Sequence, residues 1–178
     1  MSQILAALGE NPGREGLLET PARVARAYAE ILEGYHRDLQ SEMTVFENSS
    51  GYDDLVISAK IDFCSMCEHH LLPFWGHAVI GYIPDNTIIG LSKLSRAVDI
   101  YARRLQDQER LTVQVADSIV EAVHPRGVAV MMEGQHMCNM IRGVEKKESI
   151  MRTIIFRGAL KDDPVLQTRF LTLARDAQ

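Results

Sequence analysis

Apolar residues recur along this chain at two different periods, and the change from one to the other outlines its elements. Thr20-Pro21 sets a capping hydroxyl before a proline suited to a first helical turn, and Val24, Tyr28, Ile31 and Leu32 follow at helical spacing as far as Gly34. This predicts an N-terminal helix. After a polar stretch around Asn48 to Gly51, the run from Leu55 to Phe63 alternates at its centre and predicts a strand. A second strand is predicted from Phe74 to Ile83, closed by the turn signal Pro84-Asp85-Asn86 and therefore an antiparallel neighbour.

Ser92 is placed to cap a helix whose inward face is Leu94, Val98, Tyr101 and Leu105. Leu111, Val115, Ile119 and Ala122 define another, stopping before Pro125. Gly127 to Glu133 is an apolar strand candidate and a further one runs from about Ser149 to Leu160, after which Asp163-Pro164 opens a last helix. The order is helix, hairpin, two helices, hairpin, helix. No linker rich in Pro, Gly or Ser divides it, so residues 1–178 are expected to form a single α+β unit. Four strands cannot close a barrel, and the edges of an open sheet must be covered or joined to another copy. A homo-oligomer is therefore expected, and the apolar run from Ile150 to Phe156 points the same way, although burial beneath the chain's own helices accounts for it equally.

Composition narrows the function classes. With 46% hydrophobic and 24% charged residues the chain reads as an ordinary soluble globular protein. The net charge of −5 carries no nucleic-acid footprint, so an anionic substrate has to be met by a local basic pocket. The N-terminus lacks a basic segment ahead of an apolar one, and no window approaches the roughly 20 apolar residues of a membrane span. Three cysteines do not make a secreted disulfide framework, and a cytoplasmic location is expected.

The chemistry concentrates in Cys67-Glu68-His69-His70 and, far downstream, His136-Met137-Cys138. Zinc takes thiolate sulfur and imidazole nitrogen in tetrahedral geometry, and catalytic sites use three protein ligands with water in the fourth position. Cys67, His70 and Cys138 fit that count. Cys64-Ser65-Met66-Cys67 is also a C-x-x-C pair, so a closed structural site with Cys64 as fourth ligand, or a thiol–disulfide pair, stays open as an alternative. Three further stretches are weaker. Ser92 and Lys93 at a helix start, with Arg96 a turn later, suit an anion site or merely a capped, solvated helix. Glu109, beside Gln108, can accept two N–H bonds from a guanidine-like edge, or simply complement the helix dipole. Arg142-Gly143 is the last.

These motifs taken together resemble GTP cyclohydrolase I: Asn11-Pro-Gly-Arg-Glu-Gly-Leu-Leu-Glu-Thr-Pro-Ala-Arg-Val, Cys67-Glu-His-His-Leu-Leu-Pro, Gly81-Tyr-Ile-Pro, Ile89-Gly-Leu-Ser-Lys-Leu-Ser-Arg, Gln108-Glu-Arg-Leu-Thr, His136-Met-Cys and Arg142-Gly-Val. They occur in order over most of the chain. The resemblance implies hydrolytic opening of the guanine ring of GTP at C8, loss of formate, an Amadori-type rearrangement of the ribose and closure to 7,8-dihydroneopterin triphosphate, which feeds pterin and tetrahydrofolate synthesis. It also implies Zn2+ on Cys67, His70 and Cys138, and His69 with His136 as the acid–base pair. Glu109 becomes the guanine anchor, helped by Gln108, with Ser92, Lys93, Arg96 and Arg142 as a triphosphate clamp. Arg23, with Arg26, adds positive charge. The implied architecture is the tunnelling fold over residues 51–178 after a helical extension at 1–50, assembled as two five-membered rings into a decamer with sites between subunits.

Two features depart from the family pattern. Cys64 stands where an aromatic residue is usual, and the strand Ser149-Ile-Met-Arg-Thr-Ile-Ile-Phe is greasier than usual. Rival readings are a nitrile reductase of the same fold, for which Cys64 is the only spare thiol, and a non-catalytic protein held together by a closed zinc site.

Overall fold

The computed structural model describes residues 1–176. The chain begins with helices α1 (Ser2–Ala7), α2 (Thr20–Ile31) and α3 (Leu39–Glu42), then strands β1 (Val45–Glu47), β2 (Val56–Cys67), β3 (Pro73–Ile83) and β4 (Thr87–Ile89). Helix α4 (Leu91–Ala102), strand β5 (Leu105–Gln106), helix α5 (Gln108–Val123) and strand β6 (Gly127–His136) follow. The short helix α6 (Met137–Met140), strand β7 (Met151–Gly158), the short helix α7 (Ala159–Asp162) and helix α8 (Pro164–Asp176) complete it.

The main sheet has five strands in the order β5-β2-β3-β6-β7, all neighbours antiparallel except the parallel pair of β5 and β2. The two predicted hairpins supply four of its strands, with β7 at one edge, and β2 and β6 run longer than their apolar stretches. β2 continues through Cys67 and β6 through His136, because ladder hydrogen bonds carry a strand on into polar residues once a partner lies alongside. A bulge between Ser58 and Ile61, with Lys60 at φ 54°, switches the face of the alternating apolar set of β2: Leu55, Ile57 and Ala59 before it pack in one layer, Ile61 and Phe63 after it in the other.

Leu105, expected on the inward face of a helix, is instead the first residue of β5. Helix α4 stops at Ala102, and Leu105 pairs with Met66, a long-range contact that local periodicity cannot register. Ser92 is not a cap either. Gly90 holds the N-cap position of α4 without a side-chain bond, and Ser92 lies one residue inside the helix. Helix α5 begins on a real cap, the Asp107 carboxylate accepting from Arg110 N–H at 2.7 Å, and ends at His124, which takes φ 45° before Pro125. A small second sheet pairs β1 with β4, neither of which has enough alternation to be visible in sequence.

Each face of the sheet has its own apolar layer. Helices α4 and α5 cover one, with Leu94, Val98, Leu111, Val115 and Ile119 against Ile61, Phe63, Phe74, Ile80, Val130 and Met132. Helix α8 covers part of the other, where Phe170 and Ala174 meet Val79, Ile83, Ala129 and Met131. Gly81 makes that fit possible, since a Cβ there would lie 2.7 Å from the Phe170 ring. Helix α2, in contrast, buries none of its residues. None of the helices among the described residues is long and apolar enough to cross a membrane.

Phe170 is fully buried and packs edge-on against Phe156 at a centroid distance of 6.0 Å. Phe170→Ala is expected to cost about 3–5 kcal/mol, read as a lower chemical-denaturation midpoint with an unchanged slope.

Candidate metal centre and active site

The site is built where the β2–β3 hairpin turns. Cys67 N–H donates to Leu72 O and Leu71 N–H to Cys67 O, both at 2.9 Å, closing a tight loop from which His69 and His70 project. Leu71 is held at φ 52°, a left-handed conformation that a branched side chain adopts only when its surroundings enforce it. The loop is anchored on both flanks: Tyr28 of α2 donates to Leu71 O at 3.2 Å, and the Arg110 guanidinium of α5 pairs with the Glu68 carboxylate.

The downstream motif arrives through the register of β3 with β6, which sets His136 directly opposite Phe74. The two rings stack at 4.5 Å with an interplanar angle of 5°. The chain then turns into α6, and Cys138 comes back toward the loop. Cys67, His70 and Cys138 each present a ligand atom, and these atoms lie within 4.8 Å of one another. Cys67 Sγ and His70 Nδ1 are 3.7 Å apart. Two donors at ordinary zinc–sulfur and zinc–nitrogen lengths on a tetrahedral ion stand about 3.6 Å apart, so the donor set fits such an ion in chemistry and in spacing.

Cys64 takes no part in this cluster. It lies three residues before Cys67 on the same strand, so alternation turns it to the opposite face, where it is exposed while Cys67 is buried. That geometry removes both the fourth-ligand and the C-x-x-C redox alternatives. The Cys138 thiol is pushed up by burial and by the neighbouring Cys67, so a metal that takes both as thiolates must displace protons to bind. Burial pulls the His136 imidazolium down despite the opposing influence of the Glu109 carboxylate, leaving the ring neutral around neutral pH. His69 is exposed, with Nδ1 3.9 Å from Cys67 Sγ.

The remaining predicted residues divide sharply. Glu109 is exposed at the start of α5, close enough for its charge to be felt at His136. Arg142 reaches the loop, its guanidinium 3.1 Å from His70 Nε2. Gln108 is 1% exposed, and its amide is engaged with His136 and with backbone and hydroxyl oxygens, so its side chain supports the site from beneath and is closed to a ligand. Arg23 pairs with Glu19 just before its helix, and Arg26 is exposed on the same helix. Ser92, Lys93 and Arg96 are not brought to the metal loop within one chain. They sit at the start of α4, beyond the Ile83 end of β3, whereas the loop lies at its Pro73 end. Arg96 is there held by Glu42, whose carboxyl is pulled down to about 2, chiefly by the Arg37 guanidinium and also by Arg96. Sequence reasoning missed Gly134, Thr112 and Thr153, which enclose Gln108. The one available signal was a glycine within a bulky strand, which marks a close approach.

An α+β protein with helices on both faces of its sheet and a Cys, His, Cys cluster at a hairpin tip is the class that fold and site define. A sequence model of GTP cyclohydrolase I matches residues 1–175, and the chain belongs to that family. GTP cyclohydrolase 1 of Brucella anthropi is 51% identical over 168 residues, covering 94% of this chain and 79% of that protein. The enzyme of the same name from Sinorhizobium fredii is 51% identical over 170 residues (94% and 82%), and that of Allorhizobium ampelinum 47% over 169 (94% and 84%). Among solved structures, the archaeosine synthase QueF-Like in its apo form superposes with a TM-score of 0.50 at 19% identity, covering 59% of this chain and 94% of that one. That likeness shows a shared fold.

If Cys67, His70 and Cys138 hold the metal, Cys138→Ser loses most of its zinc on gel filtration while Cys64→Ser keeps one ion per chain. Retention of zinc by Cys138→Ser, or its loss from Cys64→Ser, would sink the ligand set.

Proposed function

We propose that this chain is a zinc-dependent GTP cyclohydrolase I. The reaction opens the imidazole ring of the guanine of GTP at C8, releases that carbon as formate and recloses the ring with ribose carbons as 7,8-dihydroneopterin triphosphate. The observation that carries the reading is the convergence of Cys67, His70 and Cys138 with two further imidazoles, His69 and His136, and with the Glu109 carboxylate. A zinc ion held by the first three supplies Lewis acidity and makes water nucleophilic near neutral pH.

The chain's own residues do the rest. His69 and His136 give and take protons at purine and ribose atoms, a task for which imidazole is suited. Glu109 accepts two N–H bonds from the guanine edge. Arg142 can only donate, so it uses the lone pair of His70 Nε2. With a metal held by Cys67, His70 and Cys138, Nε2 of His70 would carry the hydrogen and Arg142 would be free to meet a phosphate.

Ser92, Lys93 and Arg96 complete the triphosphate clamp only if a second copy brings its α4 to this loop. An assembly with sites between subunits is therefore part of the proposal, in the form the resemblance implies, a decamer of two tunnelling-fold pentamers. The unburied α2 and the free eight-residue edge of β7 are surfaces such an assembly covers. The enzyme is placed in the cytoplasm, its product entering pterin or tetrahydrofolate synthesis.

Zinc-loaded, reduced protein given GTP is expected to release formate and to yield a product that oxidises to a fluorescent pterin. Loss of the guanine anchor in Glu109→Gln should lower kcat/KM by about 10- to 100-fold. His69→Ala should keep its zinc and lose turnover. Neither signal from wild-type protein holding one zinc per chain would overturn the assignment, and release of metal by His69→Ala would overturn the division between ligands and acid–base groups.

A further inference from the structure

Gln108 and His136 form a contact whose direction the surrounding atoms determine. His136 Nε2 lies 2.9 Å from Gln108 Oε1. A neutral imidazole has one nitrogen that donates and one that accepts, and an amide can in principle be turned either way. Here it cannot. The other end of the Gln108 amide meets Met132 O at 3.2 Å, Met151 O at 3.1 Å and Thr153 Oγ1 at 3.1 Å. Two of these are carbonyl oxygens, which only accept, so the amide NH2 must face them and its oxygen must face His136. The reversed amide would set oxygen against oxygen twice in a buried place.

The hydroxyls agree with that direction. Thr112 donates to the backbone carbonyl of Gln108 at 2.7 Å, which leaves its oxygen to accept from Thr153 at 2.6 Å. Thr153 then accepts from the Gln108 amide. Gln108 is thus tied at its own carbonyl and its own NH2 through two threonines, one on α5 and one on β7. Gly134 leaves the space for this, because a Cβ there would stand 2.5 Å from Gln108 Oε1. Stacking on Phe74 fixes the plane of the imidazole, and Gln108 fixes its rotation within that plane.

We infer that Gln108 is a positioning residue that holds His136 with its hydrogen on Nε2, leaving Nδ1 as the nitrogen that handles protons. The role goes beyond ligand contact: the residue acts through another side chain and is closed to the substrate. The inference rests on the reading of His136 as an acid–base group, but its spectroscopic consequence stands apart from turnover. A ring free to exchange tautomers spends part of its time with the wrong nitrogen presented, which lowers the rate without changing substrate affinity.

The test is carried out on the zinc-loaded full chain with nitrogen-labelled histidine, at a pH where His136 is neutral and with His136→Gln used to assign its signals. Two-bond proton–nitrogen couplings then report which nitrogen carries the hydrogen. The expected result is a pure Nε2–H form in the wild type. In Gln108→Met, of similar volume but without an acceptor, a mixture or the Nδ1–H form should appear, with kcat lower by at least about tenfold and KM within about twofold. Gly134→Ala, which displaces the amide without removing it, should move both readouts the same way and serves if Gln108→Met does not fold. Wild-type His136 carrying its hydrogen on Nδ1, or a variant that keeps the wild-type tautomer, would overturn the inference. Wild-type protein that makes no formate would sink the proposed activity while leaving the tautomer measurement to decide this point.

Discussion

The antiparallel pairing of β3 with β6 is the constraint on which this site depends. It sets His136 opposite Phe74, one residue from the start of β3, and so delivers the downstream motif to the turn that carries Cys67, His69 and His70. A slip of one residue would send His136 to the other face of the sheet and turn the apolar set of β6 toward the wrong layer. Burial of Val128, Val130 and Met132 under α5 therefore holds the chemical register as well as the core. The cost of misplacing a histidine is coupled to the cost of repacking both apolar layers, since Ala129 and Met131 fill the other one.

The helices serve the site as clamps. Helix α5 starts on the Asp107 cap, and its first turn then supplies Gln108 beneath His136, Glu109 beside it and Arg110 against Glu68 of the loop. One well-capped helix start thus positions three side chains at once. Helix α2, with no buried residue of its own, still reaches the loop through Tyr28. The N-terminal extension is accordingly part of the site's surroundings.

The site is also asymmetric in what it can do alone. The metal cluster, both candidate acid–base imidazoles and the candidate guanine anchor gather at one end of the sheet, while the basic residues of α4 begin at the other. Strand length enforces that separation: eleven residues of β3 at about 3.3 Å each lie between the two ends. That separation is why the proposed triphosphate clamp is tied to the proposed assembly.

By itself the sequence determined the central elements and the ligand types. Period-two alternation is written into the centre of β2, an apolar run into β6, a turn signal after β3, and helical periodicity into α4 and α5, because these are local properties of residue order. Cys67, His70 and Cys138 were readable because few residue types bind a soft cation. Tertiary structure decided what depends on distant partners. It made Leu105 a strand residue by pairing it with Met66, and paired β1 with β4, which local pattern does not mark. It turned Cys64 away from Cys67, a fact that follows only once the strand is known to continue through both. It buried the Gln108 side chain beneath His136, since only packing brings Thr112, Thr153, Gly134 and His136 around it. Motif spacing says which groups are available. Which way each one faces is set by the sheet register and by the hydrogen-bond directions of atoms far apart in the chain.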